Sequence, residues 1–309
     1  MAGAFTHFII SDLAKSMQSL IGKELWQLLN RHYRFLFLGS VSPDLPYLSF
    51  KTGEINWADV MHYEKTNTTV VNGHKALKDK WPLKTTGDEV KLAWLMGYVS
   101  HLVADATIHP VVQAIVGPYE QNKTEHRLCE MTQDSMIYHL NRNDDIRYTE
   151  FSDMIRFCRD SEHFDELMDF WQGLTVNSYH DKGEEPHPKL WFTTYAEAID
   201  TAEGDSGFLA LFRHAGVDIN LIYRTKEEIE KNHQQDYIKY FTEVKLPDGS
   251  TGIFQKDGFE KAVTNVAAAW KKLYEGLKSP LTVAALIKNW NLDTGVDMEA
   301  PDGQVTYWA

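Results

Sequence analysis

One segment of the chain carries three residues of the types that bind metal ions, spaced four apart in an otherwise apolar run. The segment covers residues 97–110, and its polar residues include His101, Asp105 and His109. Residues four apart lie on one face of a helix, so the three side chains would form a row. A carboxylate and two imidazoles buried in an apolar helix cost free energy unless they are paired or bound to a metal. This combination of ligands suits zinc.

Further candidate ligands lie on both sides of this segment. His126 and Glu130 repeat the four-residue spacing, while His7, Asp44 and His62 stand singly. Taken alone, a histidine and a glutamate four apart are often a surface contact, and each single residue is uninformative. It is the order of these residues along the chain that indicates one site.

Helical periodicity dominates the elements that must position these residues, and few segments alternate as strands do. The pattern predicts helices over residues 8–20, 24–32, 88–108, 124–140, 151–159, 164–171, 195–199 and 259–277. Glycine, serine and proline predict a loop over residues 39–44, and Pro110 is predicted to open a new helix. Turn residues predict one hairpin around residues 246–250, and residues 281–309 are predicted to be irregular. The predicted fold class is therefore all-α, a multi-helix bundle with a short hairpin and an irregular tail.

The candidate ligands all fall in the first part of the chain. We predict a catalytic domain over residues 1–180 and a mostly helical extension over residues 181–309, packed on the first part as one globule. The polar loop at residues 181–188 marks the boundary between them. A chain of 309 residues is long enough to bury a full core.

Composition narrows the function classes. The formal net charge is −13 and no run of lysine and arginine is present, which argues against binding duplex nucleic acid. Cys129 and Cys158 are too few for a disulfide framework. No run reaches the roughly 18 apolar residues of a membrane span, and no secretory leader is visible. The default expectation is a cytoplasmic protein, with export by a leaderless route as the alternative.

The ordered set of motifs is more specific than any member of it. It runs from a histidine near the N-terminus through Gly-Ser-x-x-Pro-Asp, a lone histidine and His-x3-Asp-x3-His-Pro to His-x3-Glu. This order closely resembles the zinc-dependent phospholipase C family over about residues 5–140, with residues 38–44 and 97–110 the best matched pieces. That family includes secreted phosphatidylcholine-preferring enzymes and the clostridial alpha-toxin, and single-strand-specific fungal nucleases are distant relatives.

The resemblance implies an all-helical domain built around zinc, with two to three ions per chain. The implied ligands are Asp44, His62, His101 and Asp105 for one ion, His109, His126 and Glu130 for a second, and His7 with a bridging Asp105 for a third. In the secreted enzymes the free N-terminal amine completes the third site, and here the amine of Ala2 would take that place. The resemblance also implies that Asp44 is the base for the attacking water.

The chemistry implied is hydrolysis of a phosphodiester by metal-activated water. Neighbouring zinc ions lower the pKa of a bound water toward about 7 and neutralise charge that grows on the phosphoryl oxygens, so no covalent nucleophile is needed. We therefore expect a phospholipase C that releases a phosphorylated headgroup from a glycerophospholipid. The expected partners are a phospholipid or other phosphodiester and, transiently, a membrane surface, with no protein partner inferred.

The aromatic residues that enclose choline in family members are not matched. Leu45 follows Asp44 where a tyrosine commonly stands, and Asp59 lies where an aromatic residue would precede His62. Aromatic faces favour a quaternary ammonium group. The nearby residues predicted to contact substrate in their place are Tyr47, Trp57 and Tyr63. Choline specificity does not follow from the sequence.

Three alternatives remain at the level of the sequence. One is a nuclease or other small-molecule phosphodiesterase on the same fold, and another is a non-catalytic zinc-binding protein. The third is the helical His-Asp phosphohydrolase class, which requires adjacent histidine and aspartate. His180 and Asp181 are the one such pair, and they lie beside the polar loop.

Overall fold

Helices make up nearly all of the regular structure. The computed structural model describes residues 3–49, 52–146, 151–183, 185–202, 223–279 and 283–308. Within these ranges there are 14 α-helices and only small strand pairs, so the predicted all-α class is confirmed. The helices are α1 (Ala4–Ser16), α2 (Gln18–Ile21), α3 (Lys23–Arg31), α4 (Tyr33–Val41), α5 (Thr52–Tyr63), α6 (Thr68–Lys78), α7 (Thr86–Val116), α8 (Lys123–Arg142), α9 (Phe151–Arg156), α10 (Phe164–Ser178), α11 (Pro188–Ala202), α12 (Lys226–Asn232), α13 (Gln234–Tyr237) and α14 (Glu260–Lys278).

Helix α7 is the central element, and α1, α4, α6, α8, α10 and α14 all pack against it. The Thr85 side chain caps its first turn by accepting from the main-chain N–H of Asp88, and Gly117 ends it at a φ of 87°. Its length and composition would allow it to cross a bilayer, but 83% of its most apolar window is buried inside the protein. A helix that is apolar on all sides in this way serves as the core of the bundle.

Helices α4 and α7 meet in main-chain contact through two glycines. A Cβ atom on Gly39 would lie 2.0 Å from the carbonyl oxygen of Trp94, and one on Gly97 would lie 2.0 Å from that of Leu36. Any other residue at either position would push the helices apart, because glycine alone leaves room for this approach.

Residues 39–44 are helical, and the prediction of a loop there was wrong. Helix α4 continues to Val41, and the 3-10 helix Ser42–Ser49 follows directly. The hydroxyl groups of Ser40 and Ser42 donate to main-chain carbonyls about one turn earlier, at 2.8 Å in both cases. These buried serines are satisfied inside the helical turn, so they do not act as the exposed loop formers that their type suggests.

Pro110 lies inside α7 and does not open a new helix, which corrects the second boundary prediction. Proline has no N–H, so the carbonyl of Ala106 loses its partner within the helix. The C-terminal tail packs on this turn: the indole N–H of Trp308 donates to the Thr107 carbonyl at 2.7 Å. Gly295 lies so close that a Cβ atom there would be 2.5 Å from the Ala106 carbonyl oxygen. Tertiary contacts thus support the turn that proline weakens.

Two small antiparallel hairpins lie in the C-terminal part of the described chain. Val244–Lys245 (β1) pairs with Thr251–Gly252 (β2) around the predicted turn, so that hairpin is confirmed. Trp290–Asn291 (β3) pairs with Val296–Asp297 (β4) within the tail that was predicted to be irregular. Two-residue strands are too short to show the alternation on which a sequence prediction depends.

The C-terminal part packs on the ligand-bearing helices. One hydrophobic cluster includes Trp94, Trp171, Trp270 and Trp290. The indole N–H of Trp270 on α14 donates to the carbonyl of Met96 on α7 at 2.7 Å. The division into residues 1–180 and 181–309 stays a prediction, and these contacts join the two segments across it.

Candidate metal centre

All of the ligands predicted from the sequence are buried, with no more than 7% of any one exposed. They come from α7 and from four other helical segments. The residues are His7 on α1, Asp44 on the 3-10 helix after α4, His62 on α5, His101, Asp105 and His109 on α7, and His126 and Glu130 on α8. Their contacts form two groups, and Asp105 of the first group also contacts His109 of the second.

The first group contains Asp44, His62, His101 and Asp105. The facing nitrogen and oxygen atoms of Asp44, His62 and His101 lie between 3.2 and 3.8 Å apart, and Asp105 Oδ2 lies within 3.9 Å of both histidines but not of Asp44. Four ligands around a tetrahedral zinc ion at about 2.0–2.1 Å would be separated from one another by about 3.3–3.4 Å. The spacing of Asp44, His62 and His101 therefore fits a zinc ion, and Asp105 lies next to the two histidines.

The hydrogen bonds of the two histidines in this group determine which ring nitrogen faces the centre. His62 Nδ1 lies 2.7 Å from the Ala58 carbonyl oxygen, and His101 Nδ1 lies 3.0 Å from that of Ser40. A carbonyl oxygen only accepts, so each Nδ1 donates and each Nε2 of the neutral ring presents a lone pair. The two Nε2 atoms are 3.2 Å apart. Lone pairs at this distance repel unless a cation or a proton lies between them.

The pKa shift of His62 also indicates that the first group attracts a cation or a proton. Burial alone would lower the pKa of His62, but the hydrogen bond and charge of Asp44 raise it above its ordinary value. The imidazole thus gains a proton more readily than usual when no metal ion is bound. A metal ion would replace that proton.

Asp105 faces both groups at once. Its Oδ2 atom lies 3.3 Å from His101 Nε2 and 3.9 Å from His62 Nε2, while Oδ1 lies 3.2 Å from His7 Nε2 and 3.6 Å from His109 Nε2. Burial would raise the pKa of Asp105, but the charges of His109, His101 and His7 outweigh it and hold the pKa well below the ordinary value. Each oxygen atom of this ionised carboxylate therefore faces a different set of candidate ligands.

The second group consists of His109, His126 and Glu130. Glu130 Oε1 lies 3.6 Å from His109 Nε2 and 3.7 Å from His126 Nε2. Within the described part of the chain, neither ring nitrogen of His126 has a hydrogen-bond partner. Buried imidazole nitrogens normally have one, so a bound ion would account for the missing contact. Three protein ligands and one open position are typical of a catalytic zinc site.

Burial and neighbouring charges shift the pKa values in the second group. Burial raises the pKa of Glu130 to about 7 and lowers that of His126. Burial would also lower the pKa of His109, but the carboxylates of Asp105, Asp293 and Glu130 outweigh it and raise the pKa to about 9. At neutral pH without metal, this group therefore holds protons that a metal ion would displace.

His7 lies between the two groups. Its ring stacks on that of His101, with centroids 4.3 Å apart and planes 14° apart. Asp134 on α8 fixes the start of α1 by accepting hydrogen bonds from the main-chain N–H and the hydroxyl group of Thr6, at 2.9 and 2.6 Å. The ligand atoms of His7, His101 and Asp105 are close enough together to hold one ion, as are those of Asp44, His62 and His101. Those of His109, His126 and Glu130 do not all lie within 4.8 Å of one another. The predicted contribution of the Ala2 amine lies outside the described residues.

The predicted substrate-contacting residues lie on one side of the centre. The ring centroid of Tyr47 is 5.7 Å from that of His62, and the ring of Tyr63 is 6.2 Å from it. A surface pocket of about 360 Å³ lies against α5. Its lining residues are Asn56, Trp57, Asp59, Val60, Tyr63, Glu64 and Lys182. Trp57 and Tyr63 line this pocket, whereas Tyr47 is buried and donates its hydroxyl hydrogen to Asp59 at 2.8 Å. None of the predicted metal ligands is among the lining residues.

Asp293, which lies between β3 and β4 in the tail, was not among the predicted site residues. Its Oδ1 atom is 3.4 Å from His109 Nδ1, and the Tyr63 hydroxyl donates to its Oδ2 atom at 2.7 Å. No spacing rule relates Asp293 to the ligands, since its role depends on the path of the chain. By contrast, the adjacent pair His180 and Asp181 does not belong to a buried site, because the Asp181 side chain is 53% exposed and pairs with Lys65.

Comparison with known proteins identifies one family. A family model described as zinc dependent phospholipase C matches residues 6–181, which is more than half of the chain. This span contains every predicted ligand and ends before Asp293. No curated protein and no solved structure matches the chain.

Proposed function

Because the chain belongs to the zinc-dependent phospholipase C family, we propose that it hydrolyses a glycerophospholipid and releases the phosphorylated headgroup. The observation that carries this proposal is the pair of facing imidazole lone pairs, 3.2 Å apart, between the carboxylates of Asp44 and Asp105. This arrangement favours a bound cation, and the imidazole and carboxylate ligands favour zinc.

The proposed ligand sets follow the two groups and the bridge. Asp44, His62, His101 and Asp105 would hold one ion, His109, His126 and Glu130 a second, and His7 with Asp105 a third. Bound zinc supplies a lowered pKa for water and compensation for charge on the phosphoryl oxygens. We propose two to three ions per chain.

The protein's own residues prepare the reaction. Asp44 is 7% exposed, so its carboxylate is the ligand of the first group that solvent reaches most readily. We assign it the proton of the attacking water, as a general base within the centre. Main-chain carbonyls hold His62 and His101 by Nδ1, which keeps their Nε2 atoms directed at the reacting region.

Zinc content and product identity test this proposal together. Purified protein should carry two to three zinc ions per chain, and its chelated form should unfold at lower temperature, because the metal binds the folded state alone. Short-chain phosphatidylcholine and phosphatidylethanolamine should release phosphorylated headgroups. A zinc-exposed sample with less than one equivalent would contradict the metal assignment. Release of mononucleotides from single-stranded DNA, without hydrolysis of lipids, would favour the nuclease alternative. Bound zinc without any turnover would favour the non-catalytic alternative.

Zinc binding by the second group should weaken as the pH falls. Zinc must displace the proton held by His109 below pH about 9 and that held by Glu130 below pH about 7. For each proton displaced, the zinc affinity falls ~10-fold per unit decrease in pH. The affinity should therefore fall about 10-fold per pH unit between pH 9 and pH 7, and about 100-fold per pH unit below pH 7. Competition with a chelator of known pH dependence, between pH 6 and about 9, measures this slope. A constant affinity over that range would contradict the prediction.

Neither the cellular location nor membrane contact follows from the proposed zinc site. A cytoplasmic location and a transient contact with a membrane surface stay predictions. The net charge of −13 opposes adsorption to an anionic surface and favours a zwitterionic one.

A further inference from the structure

The C-terminal tail reaches the metal centre through the carboxylate of Asp293. We propose that Asp293 is a positioning residue that orients His109 for metal binding, so that the second group is complete only with the tail in place. This inference rests on the proposed zinc site. It concerns a residue that lies outside the matched span of residues 6–181.

The two ring nitrogens of His109 face different partners. Nε2 faces the carboxylates of Asp105 and Glu130, each at 3.6 Å, while Nδ1 lies 3.4 Å from Asp293 Oδ1. A histidine that binds metal through Nε2 keeps its proton on Nδ1, where an acceptor fixes the tautomer and the ring orientation. The contact is longer than a normal hydrogen bond, but Nδ1 has no hydrogen-bond partner among the described residues, so Asp293 is the acceptor available to it.

Other histidines of the centre use a different acceptor for the same purpose. At His62 and His101, main-chain carbonyls lie next to Nδ1, at 2.7 and 3.0 Å. His109 has a carboxylate instead, and this carboxylate comes from the far end of the chain. An anionic acceptor also makes the imidazole a more basic ligand, which strengthens its bond to a metal ion.

Asp293 is itself held from two sides. The Tyr63 hydroxyl donates to its Oδ2 atom at 2.7 Å, and its own main-chain N–H donates to the Asn291 side chain at 3.0 Å. The main-chain N–H of Leu292 donates to the carbonyl of His62 at 3.0 Å. Because His62 belongs to the first group, the segment around Asp293 connects the two metal groups.

The rest of the tail is fixed to the same part of α7. The indole N–H of Trp308 donates to the carbonyl of Thr107, two residues before His109. Within the tail, the indole N–H of Trp290 donates to the hydroxyl group of Thr306 at 2.7 Å. Only 12% of the Asp293 side chain is exposed. The carboxylate is therefore held at a defined place against His109.

The experiment measures zinc affinity in the full-length protein by competition with a chelator, and cobalt(II) absorption after metal exchange. In Asp293→Ala one zinc ion should bind about 10–100-fold more weakly than in the wild type, and the cobalt spectrum should change. Asp293→Asn keeps an acceptor oxygen without the charge, so its zinc affinity should lie between those of the wild type and Asp293→Ala. Tyr63→Phe, which frees the far side of the carboxylate, should weaken the same ion by less.

Asp297→Ala is the matched control. Asp297 is a largely buried carboxylate in the same tail, where it accepts from the main-chain N–H of Glu299 and lies 3.9 Å from Lys288 Nζ. Among the described residues, its side chain pairs with no predicted ligand. The Asp297→Ala replacement should leave zinc affinity unchanged even if it lowers thermal stability. Equal weakening in this control would assign the effect to tail packing and overturn the inference.

The inference and the proposed function fail in different ways. A wild-type protein that binds zinc, together with Asp293 variants of equal affinity, would overturn the positioning role and leave the proposed function standing. A wild-type protein that takes up no zinc would overturn both. If Asp293→Ala does not fold, Asp293→Asn and Tyr63→Phe carry the same test, and unchanged affinity in both would overturn the role.

Discussion

Replacing Asp44 with asparagine should lower phosphodiester turnover by about 10²–10⁴-fold while most of the zinc stays bound. Asparagine keeps the size of the side chain and one oxygen donor, but it removes the charge and the basic site. His62, His101 and Asp105 remain to hold the ion of the first group, since their facing atoms lie within 3.9 Å of one another.

The measurement for Asp44 is zinc stoichiometry and lipid hydrolysis on the same preparation. Asp79→Asn, at the exposed end of α6, provides a control for the loss of one negative charge. Full activity in Asp44→Asn would remove this residue from the mechanism. A parallel loss of zinc and activity would reduce its role to that of a ligand.

Asp105→Asn should cost the protein more metal than any other single replacement of a ligand. The two carboxylate oxygens face different groups, with Oδ1 next to His7 and His109 and Oδ2 next to His101 and His62. Asparagine has one oxygen and cannot serve both. Loss of an ion that is present at a thousand times its Kd removes about 4 kcal/mol of stability, so the Tm should fall as well.

His7→Ala is the comparison for Asp105→Asn. His7 contacts Asp105 from one side only and would lose at most the ion that it touches. Zinc analysis and thermal unfolding of both variants, prepared in parallel, decide the matter. Equal zinc loss in the two proteins would show that Asp105 does not bridge.

Features that depend on residues close together in the chain could be predicted from the sequence. His101, Asp105 and His109 are set in a row by the helix that contains them, so their spacing alone predicts the row. The all-α class likewise depends on local periodicity, and the structure confirms it. Their roles as ligands stay predictions until metal is measured.

Features that depend on distant contacts could not be predicted in this way. Asp293 lies next to His109 because of the path of the tail, and nothing near it in sequence signals that position. The local chemistry of Pro110 favours the start of a helix, but it lies inside α7, where Trp308 and Gly295 pack on the weakened turn. Residues 39–44 have loop-forming types, yet their burial against α7 favours a helical path.

The contact between Gly39 and Gly97 bears on which cations the first group can accept. Asp44 follows α4 and His101 belongs to α7, so the distance between these helices sets the size of the cavity between their ligands. Zinc bonds of about 2.0–2.2 Å and calcium bonds of about 2.3–2.6 Å differ by less than the shift, on the order of 1 Å, that one methyl group at this contact would require. For the proposed zinc site, we therefore expect discrimination by ionic radius to depend on the backbone crossing as much as on the ligands. Transfer of this centre to another scaffold would have to carry the glycine pair with it.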